Sequence, residues 1–275
     1  MEKKGPERVV AFLCSACFVF GAIGQAKAYR RMTVDEKEDG IPLFWVEPII
    51  SIEIGRFELA NASFEEIREV FRQSLRTWTR ANGCTRLLLL DGGIAPSRDT
   101  NLTRGTPDGR NRVIFRAEDW PSEMRRGRIL AIALTRYQRS TGMIIDADID
   151  INAADYRWST SPLPPHGHED LQNMLTHELG HVIGLAHSEV EEATMYAHST
   201  EGEVIKRDLH RDDIEAVCTI YPDNYQREMR SQCAIHPFIS RKSTFQISLL
   251  TKVMLIFTLH RLRSNRRGAR RSLQF

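Results

Sequence analysis

Residues 176–188 read THELGHVIGLAHS, and five of them, His177, Glu178, His181, Gly184 and His187, decide how the rest of the chain is read. On an α-helix, residues four apart stack one above the other, so His177 and His181 present imidazole nitrogens to one point beside the helix. Glu178, one residue further on, is rotated past that point towards an open coordination position. Gly184 tolerates a positive φ, so the chain can leave the helix at once and swing His187 back to the same place. Three neutral imidazoles with a carboxylate beside the open position are the composition of a catalytic zinc site. With zinc bound, a water molecule there is acidified, and Glu178 takes its proton as general base and later hands it to a leaving amine. Taken singly, each histidine reads more readily as a surface or core imidazole. The metal reading rests on their joint spacing with the helix break.

Outward from this segment the pattern is that of an α+β domain. From Glu169 the sequence is helical, with Leu171, Leu175, Leu179 and Ile183 stepping by four along one face expected to lie against a sheet. A last helix over 211–221 turns Ile214, Val217 and Cys218 inward, and Pro222 closes it. Towards the N-terminus, residues 48–54 (PIISIEI) alternate as a first strand. Ser63-Phe64-Glu65-Glu66 is a capping box that opens a helix carrying Phe64, Ile67, Phe71, Leu75 and Trp78, which Asn82-Gly83 ends. Residues 85–90 read as a second strand, 92–112 as a long Gly/Pro/Asp/Arg loop and 113–115 as a short strand. Residues 129–137 and 143–151 read as a strand pair, and the Pro-rich 161–165 as a break. Strands first, a long helix in the middle and late histidines predict a single α+β (α/β-like) domain.

Composition sets the surroundings. The 41% hydrophobic content suits an ordinary globular core. Residues 1–28 read as a secretory signal: Lys3, Lys4 and Arg8, the apolar run 9–23, then the small-residue site Ala26-Lys27-Ala28, so that a mature chain begins at Tyr29. A membrane anchor is the alternative, with the run short for a spanning helix. Cleavage removes Cys14 and Cys17 and leaves Cys84, Cys218 and Cys233 in an oxidising compartment, an odd number. Cys84 with Cys218 is the favoured pair, Cys218 with Cys233 the local rival. Over 223–275 eleven Lys/Arg face Asp223 and Glu228, a net of +9, which leaves −7 for the rest of a chain whose total is +2. The enzyme-like part is therefore mildly acidic, and nucleic acid is not an expected partner. The apolar stretch 245–259, with Lys252 inside it and six arginines after it, reads as a disordered basic tail, with a weak anchor or an amphipathic surface segment as alternatives for membrane contact.

The extended motif resembles that of the metzincin clan of zinc endopeptidases, and Ser188 after His187 points to its matrixin branch, the family of the matrix metalloproteinases. Met195, in Ala193-Thr194-Met195-Tyr196, resembles the family's Met-turn, whose methionine forms an apolar floor beneath the metal. Asp170-Leu171 and residues 209–222 (LHRDDIEAVCTIYP) resemble the start of the active-site helix and the terminal helix, and Asp212 and Asp213 match an aspartate pair that ties that helix to the Met-turn. Residues 128–133 resemble the antiparallel edge strand on which Leu130, Ala131, Ile132 and Ala133 would align an extended polypeptide. The resemblance covers about 45–222 and is densest from Asp170 onwards. It implies a secreted, bacterial-type zinc endopeptidase acting as a monomer, its twisted five-stranded mixed sheet followed by an active-site helix, a Met-turn and a C-terminal helix.

The departures matter as much. No cysteine-switch motif is found, and 29–44 is too short for a folded prodomain. Ala197, His198 and Ser199 follow Tyr196 where the family has proline, which leaves the wall of the specificity pocket undetermined. Tyr196 reads equally as an oxyanion aid or a pocket lining, and His166, His168 and His198 as loop histidines. Where matrixins place a second, structural zinc, this chain has Asp146, Asp148, Asp150 and Asn152 on one strand face, opposite Ile145, Ala147, Ile149 and Ile151. That row calls for neutralisation, either by calcium, which suits oxygen ligands, or by Arg110, Arg112 and Arg116. Two rival functions stay open: a zinc-bearing binding protein, which has no use for Glu178, and a zinc amidase acting on a non-protein substrate.

Overall fold

The computed structural model describes residues 28–223 apart from 38, 80, 82 and 126–128. The expected signal segment, the tail with its apolar stretch, and Cys14, Cys17, Cys233 and Arg128 accordingly lie outside the described residues. Strands β1 (Ile49–Ile54), β2 (Leu88–Ile94), β3 (Asn111–Arg116), β4 (Ala131–Tyr137) and β5 (Ile144–Asn152) form one sheet in the order β2-β1-β3-β5-β4. β1, β2, β3 and β5 run parallel, and β4 lies antiparallel to β5 with its outer edge unpaired among the described residues. A parallel pair β6 (Trp158–Ser159) and β7 (Glu169–Asp170) stands apart. The helices are α1 (Phe64–Thr79), the short α2 (Asn101–Arg104) and α3 (Ser122–Arg125), α4 (Leu171–Val182) and α5 (Arg211–Ile220). None of the described helices is long and apolar enough to cross a membrane.

The alternation of PIISIEI places Ile50, Ile52 and Ile54 on the inner face, where they meet Val113, Phe115, Ala147, Ile149 and Ile151. Phe64, Ile67, Phe71, Leu75 and Trp78 of α1 and Leu171, Leu175, Leu179 and Ile183 of the α4 segment fill the same core. Burying each such side chain contributes about 1.5–3 kcal/mol. The face of α4 expected to lie on the sheet is shared, because α4 packs against α1 as well as β4 and β5. The capping box forms as read: the Ser63 N–H donates to Glu66 Oε2 at 2.8 Å, and the Glu66 N–H to Ser63 Oγ at 3.4 Å. Cys84 and Cys218 are joined in a disulfide with Cα atoms 5.4 Å apart, tying the end of the α1 region to α5.

Three readings are corrected. The second strand extends past Leu90 to Ile94, because Gly92 lies against β1, where a Cβ would meet Ser51 Oγ at 2.6 Å. The long loop is correspondingly shorter and contains α2. Leu130 stands just before β4, although its carbonyl still accepts from the Asn152 N–H at 3.0 Å. Ile145 is 40% exposed and does not join the apolar face with its alternates.

The acidic face of β5 is fully buried beneath the segment 97–112. Its oxygens are met by protein donors. Asp146 accepts from the Asn101 amide at 2.5 Å and from the Asp108 and Gly109 N–H groups at 2.7 and 2.8 Å. Asp148 accepts from the N–H groups of Asn101 (2.7 Å) and Arg112 (2.9 Å). Asp150 takes Arg116 Nε at 2.7 Å and the Thr100 hydroxyl at 2.8 Å. Asn152 donates to the Ile129 carbonyl. Of the three arginines expected to serve the row, only Arg116 ion-pairs with it; Arg112 turns its guanidinium to Asp108, and Arg110 pairs with Glu53.

Candidate active site

α4 begins at Asp170, whose Oδ1 accepts from the Asn173 N–H at 2.7 Å and from Arg207 Nε at 2.8 Å. That satisfies a donor that the first turn leaves open. Its C-terminal carbonyls are taken by side chains: Val182 by the Trp45 indole N–H at 2.8 Å and Ile183 by the Tyr221 hydroxyl at 2.8 Å. Gly184 then turns the chain at φ +92°, and a Cβ there would stand 2.8 Å from the Leu43 carbonyl oxygen, so glycine is required on both counts. The departing strand is held by the N-terminal segment, with the Met32 N–H on the Gly184 carbonyl at 2.8 Å and the Ala186 N–H on the Arg30 carbonyl at 2.9 Å.

This delivers His187 to the helix. One ligating atom from each of His177, His181 and His187 lies within 4.8 Å of the others, and the Nε2 atoms of His181 and His187 are 3.2 Å apart. Among the described residues this is the group of His, Cys, Asp or Glu side chains able to hold a metal. Two tautomers are set by carbonyls: His177 Nδ1 donates to Thr194 at 2.7 Å and His181 Nδ1 to Leu185 at 2.8 Å, leaving their Nε2 lone pairs for an ion. Burial pushes the pKa of all three below the imidazole range, that of His181 to about 4, so they stay neutral as ligands must. The donor set fits zinc.

Glu178, 7% exposed, turns its carboxylate towards β4 and accepts from the Ala133 N–H. Burial pushes this carboxyl up to about 7, against the Ala133 N–H and the Lys206 ammonium, which both favour the charge. Met195, packed against Gly180 of α4, is 2% exposed, and its turn hangs from α5. Asp213 accepts from the N–H groups of Thr194 (2.8 Å), Met195 (3.1 Å) and His210 (2.9 Å), while Asp212 takes the Ser188 hydroxyl at 2.6 Å. Tyr196 is half-buried with its ring 5.6 Å from that of His198. His166 and His168 stay in their loop, where His166 faces Glu201.

Some contributors had no signature in the motif. The Thr194 and Leu185 carbonyls are backbone atoms and carry none. Gly180 could have been suspected as a helix-interior glycine; a Cβ there would overlap Met195 Sδ and approach Trp78 Cζ2 to 2.9 Å. Lys206, 2% exposed, looks like any loop lysine until its surroundings are seen.

Comparison with known proteins agrees with this geometry. Residues 117–222 match the family model for matrixin. Metalloendoproteinase 5-MMP of Arabidopsis thaliana is 38% identical over 85 residues, 30% of this chain and 23% of the relative. Metalloendoproteinase 2-MMP of the same plant is 46% identical over 55 residues, 20% of this chain and 14% of the relative. Probable matrix metalloproteinase 095L of Invertebrate iridescent virus 3 is 32% identical over 80 residues, 29% of this chain and 21% of the relative. The chain thus spans less than a quarter of the length of these relatives. The match takes in β4, β5, α4, the Met-turn and α5, the elements that build the histidine site, and over residues 117–222 the chain is similar to the matrixin family.

Proposed function

We propose that this protein is a secreted zinc-dependent endopeptidase, acting as a monomer on polypeptide held in extended form. The observation that carries the reading is the convergence of His177, His181 and His187 beside a buried Glu178 that is not needed as a ligand. Zinc, when bound there, supplies a Lewis acid that acidifies water and polarises a carbonyl. The chain's residues supply the rest. β4 offers an edge left unpaired among the described residues, along which a substrate strand aligns by backbone hydrogen bonds. Glu178, steadied by the Ala133 N–H of that same strand, takes the proton of the attacking water and returns it to the departing amine. Thr194 and Leu185 keep two imidazoles in the ligating tautomer. All four side chains come from one chain, which supports a monomer. Secretion rests on the signal-like residues 1–28. For the Asp146 row, neutralisation by protein donors is preferred to calcium, since the carboxylates already accept hydrogen bonds from the fold.

Glu178→Ala is the direct test. It should keep stoichiometric zinc by elemental analysis while casein cleavage drops about a thousand-fold, since base and proton carrier leave together. Undiminished cleavage by the zinc-loaded variant would end the proposal.

A further inference from the structure

The three ligand rings are not held alike. Carbonyls fix two of them, Thr194 on His177 and Leu185 on His181, but among the described residues none meets Nδ1 of His187, the exposed member of the set. The place of that ring therefore depends on the course of the backbone on either side of it. Beyond it, the Ser188 N–H is tied to the Met195 carbonyl at 2.8 Å. Before it, residues 184–186 lie against a hairpin whose arms are 30–34 and 41–44. Arg31 stands opposite Leu185, with the Met32 N–H on the Gly184 carbonyl and the Ala186 N–H on the Arg30 carbonyl. The arms are joined by the Val34 N–H on the Ile41 carbonyl and the Leu43 N–H on the Met32 carbonyl, both at 2.8 Å, and by the Arg31 guanidinium on the Leu43 carbonyl at 3.0 Å. That Leu43 oxygen is the atom that bars a side chain at Gly184. The hairpin thus bears on two ligands at once: His187, which follows the paired stretch, and His181, whose Nδ1 donates to the Leu185 carbonyl within it.

The hairpin is held down separately from the main core. Val34, Leu43 and Ile144 form a small buried cluster of their own, with Met32, Trp45 and Tyr137 packed against it. Its turn is strained, because Asp35 and Glu36 stand in succession at φ 61° and 56°, a conformation that side-chain-bearing residues adopt at a cost. The strain is borne by contacts to the end of β4, the Asp35 N–H on the Tyr137 hydroxyl at 3.3 Å and Arg139 on the Asp35 carboxylate at 2.7 Å. Few buried side chains and a strained turn make a unit that opens more easily than the core. Resting on the zinc reading of the site, we propose that the hairpin 30–44 is a clasp that positions His181 and His187, so that its docking and zinc binding are coupled. Opening the clasp releases the ion, and the ion holds the clasp shut; by linkage the two effects are equal in size. Val34 is on this account a positioning residue that touches neither ligand ring nor substrate.

Hydrogen exchange followed by NMR on the full chain, carrying Glu178→Ala to prevent self-digestion, reads the clasp directly. Without zinc, the Met32 and Ala186 amides should exchange faster than those of Phe115 and Ile149 in the main sheet. With zinc at a hundred times its Kd they should slow by up to about a hundred-fold, since opening must then displace the ion. Val34→Asp places a carboxylate in the small cluster and should weaken zinc at least about ten-fold in competition with a chromogenic chelator, with Phe115 and Ile149 still protected. Ile67→Val, which loosens the main core from α1, should bind zinc within about two-fold of the parent. If Val34→Asp folds poorly, the exchange rates of the parent decide alone. Zinc that binds without slowing Met32 and Ala186, amides there no faster than those of the main sheet, or a zinc affinity in folded Val34→Asp no weaker than in Ile67→Val overturns the clasp while leaving the zinc reading intact. A parent that binds no zinc overturns the zinc reading, and the clasp with it.

Discussion

Gly180→Ala is expected to damage the site through packing rather than through the helix. Alanine in place of glycine favours a helix interior by about 1 kcal/mol. Against this, the added Cβ overlaps Met195 Sδ and stands 2.9 Å from Trp78 Cζ2 and 3.1 Å from Met195 Cε. Trp78 is fully buried and its indole N–H is committed to the Thr176 carbonyl at 2.8 Å, so Met195 must yield first. Overpacking of this kind costs about 1–3 kcal/mol, and with contacts this close the upper part of that range applies, for a net loss of about 1–2 kcal/mol. Met195→Ala alone empties a buried position at about 2–5 kcal/mol. In the double variant the new methyl occupies part of the vacated space, so the combined loss should fall short of the sum by about 1–2 kcal/mol. Urea unfolding of chelator-treated protein measures all three. Displacing Met195 also drags Thr194, whose carbonyl orients His177, so Gly180→Ala should weaken zinc about ten-fold in competition with a chromogenic chelator. Strict additivity in the cycle, with zinc affinity unchanged, would refute the packing argument.

Arg116→Met leaves Asp150 buried with the Thr100 hydroxyl as its remaining side-chain partner and should cost about 3–5 kcal/mol in urea unfolding, most of it recovered when Asp150→Leu is added. An Asp150→Leu addition that deepens the loss would show that the ion pair is not what the burial demands. Replacing Cys84 and Cys218 by serine opens a link across 134 residues, for which the loop-closure model gives about 5 kcal/mol, so calorimetry should show a large fall in Tm. Burial, which outweighs the Asn101 and Arg112 N–H bonds, together with repulsion from Asp146, raises the Asp148 carboxyl to about 7. The folded state thus holds a proton that the unfolded chain releases near pH 3.9, and the stability this confers is full below that pH and lost as pH rises to about 7. Between pH 4.5 and 6.5 the stability of wild type should therefore fall more steeply than that of Asp148→Asn, by up to about 1.4 kcal/mol per unit; parallel slopes would sink the assignment.

The parts of this molecule that could be read from the sequence are those decided by neighbours within about eleven residues. Helical spacing put His177 and His181 together, the need for a positive φ placed the turn at Gly184, and Ser63 with Glu66 announced the start of α1; each of these is a local constraint, and each appears in the fold. Misreadings cluster where a residue's fate depends on chain far away. Asp91-Gly92-Gly93 has the composition of a turn, yet it continues β2 because β1 lies against it and leaves no room for a side chain at Gly92. The acidic row on β5 was legible as a repulsive face in need of neutralisation, but which groups supply it could not be read. The donors from Thr100, Asn101, Asp108, Gly109, Arg112 and Arg116 arrive from 34 to 50 residues upstream, and four of the seven donor groups are backbone N–H groups.

The same division runs through the site itself. The ligands and Glu178 are set by the period of one helix and one glycine, whereas the groups that aim them belong to other segments: Thr194 from the Met-turn, Ala133 from the edge strand and Asp213 from the last helix. The histidine pattern is therefore legible in thirteen consecutive residues, but its supports are not. The chain after Tyr196 is returned to α4 by the Lys206 N–H on Asn173 and the Arg207 guanidinium on Asp170, contacts that no local pattern announces.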